Sequence, residues 1–126
     1  MTVLVDTSVW VAHFRERHAA LVELLEADRV LMHPMVLLEL ACGTPPAPRA
    51  RTLAALGQLR PAALSSTAEV MAFVERERLY GLGCGLVDIT LLASTLITPG
   101  ARLWTLDKRL AGLAQRFGIA HAVPVH

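Results

Sequence analysis

Lysine is nearly absent from this chain: eleven of its twelve basic residues are arginine, and Lys108 is the exception. Arginine suits forked contact with phosphate or carboxylate, although the same bias follows from an arginine-rich, alanine-rich genome composition. Excess charge is lacking too. A formal net charge of +1 over 126 residues excludes the strongly basic surface of a bulk nucleic-acid binder. Cysteine is scarce, and Cys42 and Cys84 have no spacing signature, which points to reduced core thiols rather than a disulfide or a metal site. Mean hydropathy is positive at +0.48, yet Glu39, Asp88 and the Pro99-Gly100 pair interrupt the longest apolar stretches. No run reaches the roughly 20 apolar residues of a spanning helix. The start of the chain lacks the basic residues and small-residue cleavage site of a signal peptide, so a cytoplasmic location is expected.

The remaining pattern is that of one domain over residues 1–126, large enough to bury a continuous core. A Val- and Leu-rich strand is expected at 2–6, followed by helical spacing over 7–27 that is interrupted around Arg15 and Arg17. Residues 30–32 form a second strand, and Pro34 opens a helix that Gly43 can end. Pro45, Pro46 and Pro48 make a rigid connector, after which a helix is expected over about 49–58 and a weak strand at 62–64. Ser66-Thr-Ala-Glu69 is a capping-box pattern for a helix to about Tyr80. Gly81, Gly83 and Gly85 precede an apolar helix over 86–97. A strand at 102–106, a helix beginning after Asp107 and a final strand at 119–123 complete the chain. Strands alternating with helices predict an α/β fold in three layers, with a mostly parallel sheet of about five strands between helices. Sites in such sheets open at the carboxyl ends of the strands.

Acidic residues stand out against this background. Asp6 is the only formally charged residue before Arg15, Glu39 the only one between Arg29 and Arg49, and Asp88 the only one between Arg78 and Arg102. Each lies in a segment that reads as buried, and buried carboxylates need a partner. Asp107 follows the 102–106 strand, on the same sheet rim as Asp6; on its own it also suits a helix N-cap. Convergence of all four on one cation is the economical explanation. An all-oxygen set without His or Cys selects Mg²⁺ or Mn²⁺ over zinc.

Several motifs carry a resemblance. Val-Asp6-Thr-Ser-Val-Trp, Leu38-Glu39-Leu40, Gly85-Leu-Val-Asp88-Ile-Thr-Leu-Leu-Ala and Leu103-Trp-Thr105-Leu-Asp107-Lys-Arg-Leu closely resemble the PIN domain, and most of all the VapC-type ribonuclease toxins of bacterial toxin–antitoxin pairs. The likeness spans nearly the whole chain with the four acids in family order. It implies a Mg²⁺-dependent RNA-cleaving site and an antitoxin partner encoded nearby. Asp6, Asp88 and Asp107 would be metal ligands, directly or through water, and Glu39 a ligand or outer-shell acceptor. Thr105 would orient a carboxylate or water, or only pack in its strand. Ser8 would be a small polar residue near the site, or equally a cap of the following helix. The implied chemistry is in-line attack of a metal-activated water on an RNA phosphate, leaving a 5′-phosphate and a 3′-hydroxyl.

Other side chains suit plainer roles. His13 and His18 lack a third zinc ligand. Trp10 and Trp104 lie in apolar runs and are expected to pack rather than to stack on bases, and Arg15, Arg17, Lys108 and Arg109 suit solvated helix faces that flank the rim. The amphipathic segments at 17–27 and 34–42 predict a homodimer and a groove for an antitoxin helix, which could present an arginine to Asp6 or Glu39. The alternatives are an RNA-processing PIN nuclease without an antitoxin, a non-catalytic interaction module, and a phosphoacceptor domain. The last fits poorly, because Thr7 and Ser8 rather than a second acid follow Asp6.

Overall fold

The computed structural model describes residues 1–123. Strand β1 (Thr2–Val5) leads into helix α1 (Thr7–Arg15) and α2 (Ala19–Glu26), then strand β2 (Val30–Met32), α3 (Pro34–Cys42) and α4 (Arg49–Leu56). Strand β3 (Arg60–Pro61), α5 (Thr67–Glu77), α6 (Leu86–Ile97), β4 (Ala101–Trp104) and α7 (Lys108–Arg116) follow. The sheet is wholly parallel in the order β3-β2-β1-β4. Val3, Leu4 and Val5 on β1 are all fully buried. Successive strand residues face opposite sides, so three in a row out of solvent require both faces of the sheet to be covered.

Two boundaries follow from local chemistry. The helical run over 7–27 divides because Glu16 and His18 are extended, and the His18 backbone N–H donates to His13 Nδ1 at 3.1 Å. The capping box forms as expected, Ser66 and Glu69 each accepting the other's backbone N–H. Its helix stops at Glu77 rather than near Tyr80, because Arg78 turns left-handed at φ 55. The chain returns towards β4 from α7 through Gly118, at φ +71, a backbone conformation that glycine adopts without strain.

Some expectations need correction. The sheet has four strands among the described residues, not about five. The expected strand over 119–123 is reduced to one parallel bridge, Leu103 to Ala120, because on β4 only Leu103 bonds to that segment, through Ile119 and His121, while the Ile119 N–H turns back to the Ala114 carbonyl. The weak strand falls at 60–61 rather than 62–64. Pro61 has no N–H to donate and suits an edge, although Ala62 still donates to Met32 at 3.1 Å. Cys42 is exposed and Cys84 half-buried, so neither is a core thiol.

Candidate active site

The parallel register places Val5 beside Trp104, and the Asp6 N–H donates to the Trp104 carbonyl at 2.9 Å. The first residue past β1 therefore lies against the first residues past β4. Asp6 is only 6% exposed. Among the described residues no basic side chain pairs with it; two hydroxyls do. Ser8 Oγ and Thr105 Oγ1 both donate to Asp6 Oδ2 at 2.7 Å. The same two oxygens accept backbone N–H groups, Ser8 Oγ from Leu106 and Thr105 Oγ1 from Asp107, each at 3.0 Å. A hydroxyl has one proton to give, and each is committed to Asp6. The 3.4 Å approach of Ser8 to Thr105 is therefore proximity within the network. Ser8 thus bonds to Asp6, and no side chain caps α1.

One oxygen of each neighbouring carboxylate is also held. Asp107 is the N-cap of α7, its Oδ1 accepting from Leu110 N at 2.9 Å. Glu39 Oε1 accepts from Thr7 Oγ1 at 2.6 Å. Among the described residues, no hydrogen bond reaches Asp6 Oδ1, Asp107 Oδ2 or Glu39 Oε2. Each carboxylate keeps one oxygen for something else. Asp88 lies in the first turn of α6, half-buried. Burial raises its carboxyl above the ordinary value, and the charges of Asp6, Asp107 and Glu39 raise it further, against a smaller opposing effect of the Gly85 backbone. The four acids thus share one electrostatic neighbourhood.

The inference of three buried lone carboxylates holds for Asp6 alone. Glu39 is exposed and Asp88 half-buried. Among the described residues no three acidic, histidine or cysteine side chains close into a shell around an ion as they stand. Like charges hold such groups apart. The donor set is nonetheless all oxygen, which fits a hard divalent cation.

The aromatic side chains take structural places. Trp10 and Trp104 are 2% and 3% exposed, and His18 packs edge-on against Trp104 with ring centroids 5.1 Å apart. Of the arginines near the rim, Arg15 lines a groove with Glu39, and Arg109 Nη1 donates to the Gly83 carbonyl at 3.4 Å. Gly83 stands at φ +85, a conformation that favours glycine; the Arg109 guanidinium that lies over it is a flexible side chain that can give way. Two site neighbours escaped sequence reasoning. Thr7 lies 32 residues from Glu39, a separation that no local pattern bridges. Cys84 lies close enough to Asp88 and Asp107 for their charges, after burial, to raise its thiol.

A family model for the PIN domain matches residues 3–115. The chain belongs to the PIN domain family. The matched span contains Asp6, Glu39, Asp88 and Asp107 together with Ser8 and Thr105. The chain is also similar to the protein named Ribonuclease VapC32 in two strains of Mycobacterium tuberculosis. It is 45% identical to each over 123 residues, covering 98% of both chains. The rim carboxylates lie inside the matched PIN span.

Proposed function

We propose that this PIN-domain protein is a Mg²⁺- or Mn²⁺-dependent endoribonuclease, the toxin of a bacterial toxin–antitoxin pair, acting on cytoplasmic RNA. The observation that carries the chemistry is the rim itself: Asp6 and Asp107 follow adjacent strands and are each held through one oxygen only, and their charges with that of Glu39 add to burial in raising the Asp88 carboxyl, a repulsion that a divalent cation relieves. Near-complete coverage of a protein named as a ribonuclease supports the substrate class and the toxin role, and with that role an antitoxin partner.

Asp6, Asp88 and Asp107 would hold the cation directly or through water, with Glu39 as a further ligand or an acceptor behind it. When bound, the cation neutralises phosphate charge and acidifies the attacking water. The chain's own contribution is orientation. Ser8 and Thr105 fix Asp6 through Oδ2, and the α7 backbone fixes Asp107 through Oδ1, so each would keep its other oxygen for the ion. The carboxylates repel RNA in the absence of the ion, which leaves phosphate contact to cations outside the cluster.

The proposed assembly includes a homodimer. Leu64, Met71 and Leu86 are about 58%, 66% and 65% exposed and line a groove of about 430 Å³ between α3, α5 and α6; a contiguous apolar surface of this kind usually marks an interface. Light scattering that reports a monomer at high concentration would remove this part. The central test is cleavage of bacterial RNA with Mg²⁺ against EDTA, paired with growth on expression alone and with the adjacent upstream gene. Metal-dependent cleavage, and growth arrest relieved by that gene, is the expected result. No cleavage with either ion overturns the enzyme, and arrest without relief overturns the paired toxin.

A further inference from the structure

We infer that the groove lined by both Glu39 and Arg15 is a nucleotide subsite, with Arg15 contacting a substrate phosphate next to the one that is cleaved. This inference rests on the ribonuclease reading and specifies how that site grips its strand. The groove holds about 280 Å³ and is lined by Phe14, Arg15, Glu39, Thr44, Pro45 and Pro46 among others. Its walls are fixed. Arg49 donates to the Ala41 and Gly43 carbonyls at the end of α3, and the Thr52 hydroxyl donates to the Pro46 carbonyl at 2.7 Å, which pins the proline connector.

Arg15 is the arginine that lines this groove. It is exposed, and among the described residues its side chain takes no part in a hydrogen bond or ion pair, as is also true of Arg17, Arg29, Arg51 and Arg78, none of which lines the groove. A free guanidinium suits an anionic group. Glu39, in the same lining, belongs to the acidic cluster, where an anion is accepted only through a cation. A ligand that carries more than one anionic group with a neutral flat body between them meets both conditions, and a single-stranded polynucleotide repeats that unit. Phe14 and the two prolines offer apolar surface for the face of a base.

The test is steady-state cleavage of a fluorescein-labelled single-stranded RNA of mixed sequence over a series of KCl concentrations, with melting midpoints as a folding control. A flanking phosphate contact is made equally in the ground and transition states, so its loss appears in KM. Arg15→Gln is expected to raise KM by about ten-fold with kcat nearly unchanged. It should also flatten the dependence of log KM on log salt by about 0.7, one phosphate contact on a single strand. Arg15→Lys keeps the charge and recovers the slope. Thr44→Trp fills the groove and raises KM with the slope unchanged, a result that a purely helix-stabilising arginine does not produce. Parental KM and slope in Arg15→Gln, from a parental protein that cleaves RNA, overturn the subsite alone. So does weakened binding of the upstream gene product with RNA kinetics intact, which makes the groove a protein surface. A parental protein that neither binds nor cleaves RNA fails before any variant is compared, and the ribonuclease reading falls with the subsite.

Discussion

The two halves of the acidic rim are built differently. Asp6 and Asp107 follow the adjacent strands β1 and β4 and are held by a continuous set of hydroxyl and amide bonds through Ser8 and Thr105. Glu39 and Asp88 ride on helices α3 and α6; Glu39 is exposed and held by the Thr7 hydroxyl, and Asp88 is placed chiefly by its position in the first turn of its helix. Strand pairing fixes a side chain through the backbone register on both sides, whereas a helix fixes only its face. The strand half is therefore set by the fold, and the helix half is set largely by charge.

The widest separation between the halves comes from removing one charge in each. Both Asp6→Asn and Asp88→Asn are expected to reduce RNA cleavage by more than about a hundred-fold, beyond the 10–100-fold typical of losing an outer-shell partner. Their effects on the metal-free fold have opposite signs. Because the folded value of Asp88 is raised, the native state binds that proton more readily than the unfolded chain does. Stability is then lost as pH rises from the ordinary 3.8 through the folded value, and the deficit persists at neutral pH. Asn abolishes it, so Asp88→Asn raises the melting midpoint in EDTA and narrows the increase that Mg²⁺ gives. Asp6→Asn weakens two charge-assisted bonds and lowers the midpoint, by about 1 kcal/mol of stability. Shifts of the same sign in thermal melts would erase the contrast.

A second, smaller test takes the donors instead of the acids. Ser8→Ala and Thr105→Val each remove one bond to Asp6 Oδ2 and are expected to reduce cleavage or metal affinity about 10–100-fold, with about 1 kcal/mol lost from stability. Because both act on one oxygen, the double variant should depart from additivity in a double-mutant cycle. Thr7→Val, the matching change on the helix side, removes a bond to an exposed carboxylate and should move stability by no more than about 0.5 kcal/mol. An additive Ser8/Thr105 pair in denaturant titrations would show two independent contacts rather than one network.

The same contrast governs what the sequence made legible. Asp6 follows three consecutive apolar strand residues, and a strand buried on both faces leaves its first polar successor at the carboxyl rim; burial and position are both readable from that. Glu39 was expected to be buried because Val36, Leu37 and Leu40 surround it in sequence. On the folded helix Val36 and Leu40, four residues apart, face the core at 0% and 3% exposure, while Leu38 is 64% exposed and Glu39 lies outside with it. A helix that is apolar along most of its length gives no clear face, so composition alone misplaced it. The missing fifth strand has a similar cause: residues 119–123 have strand-like composition, yet pairing depends on a neighbour with free backbone groups in register. The pairing of Thr7 with Glu39 depends on how α1 packs on α3, which no spacing encodes.

The smallest expected effect concerns what holds the helix half in place. α3 begins at His33, which is 4% exposed and accepts the Met35 N–H on Nδ1 at 3.0 Å. Accepting there requires a neutral ring with its proton on Nε2. Burial lowers the His33 pKa from the ordinary 6.5; burial also comes first among the causes that lower His13 and His121. A histidine whose folded value is depressed takes up its proton more readily unfolded, so stability is full above 6.5 and is lost as pH falls from there towards the folded value. Urea midpoints should therefore drop between about pH 7.5 and 5.5, with three groups contributing. His33→Asn keeps a good N-cap acceptor without a titrating proton. It should leave the midpoint near the parental value at the higher pH and flatten part of the drop, whereas His33→Ala loses the cap at both, by roughly 1 kcal/mol. If His33→Asn retains the full parental drop, the imidazole at the head of α3 is not what acid breaks, and the pH sensitivity belongs to His13 and His121, away from the helix that carries Glu39.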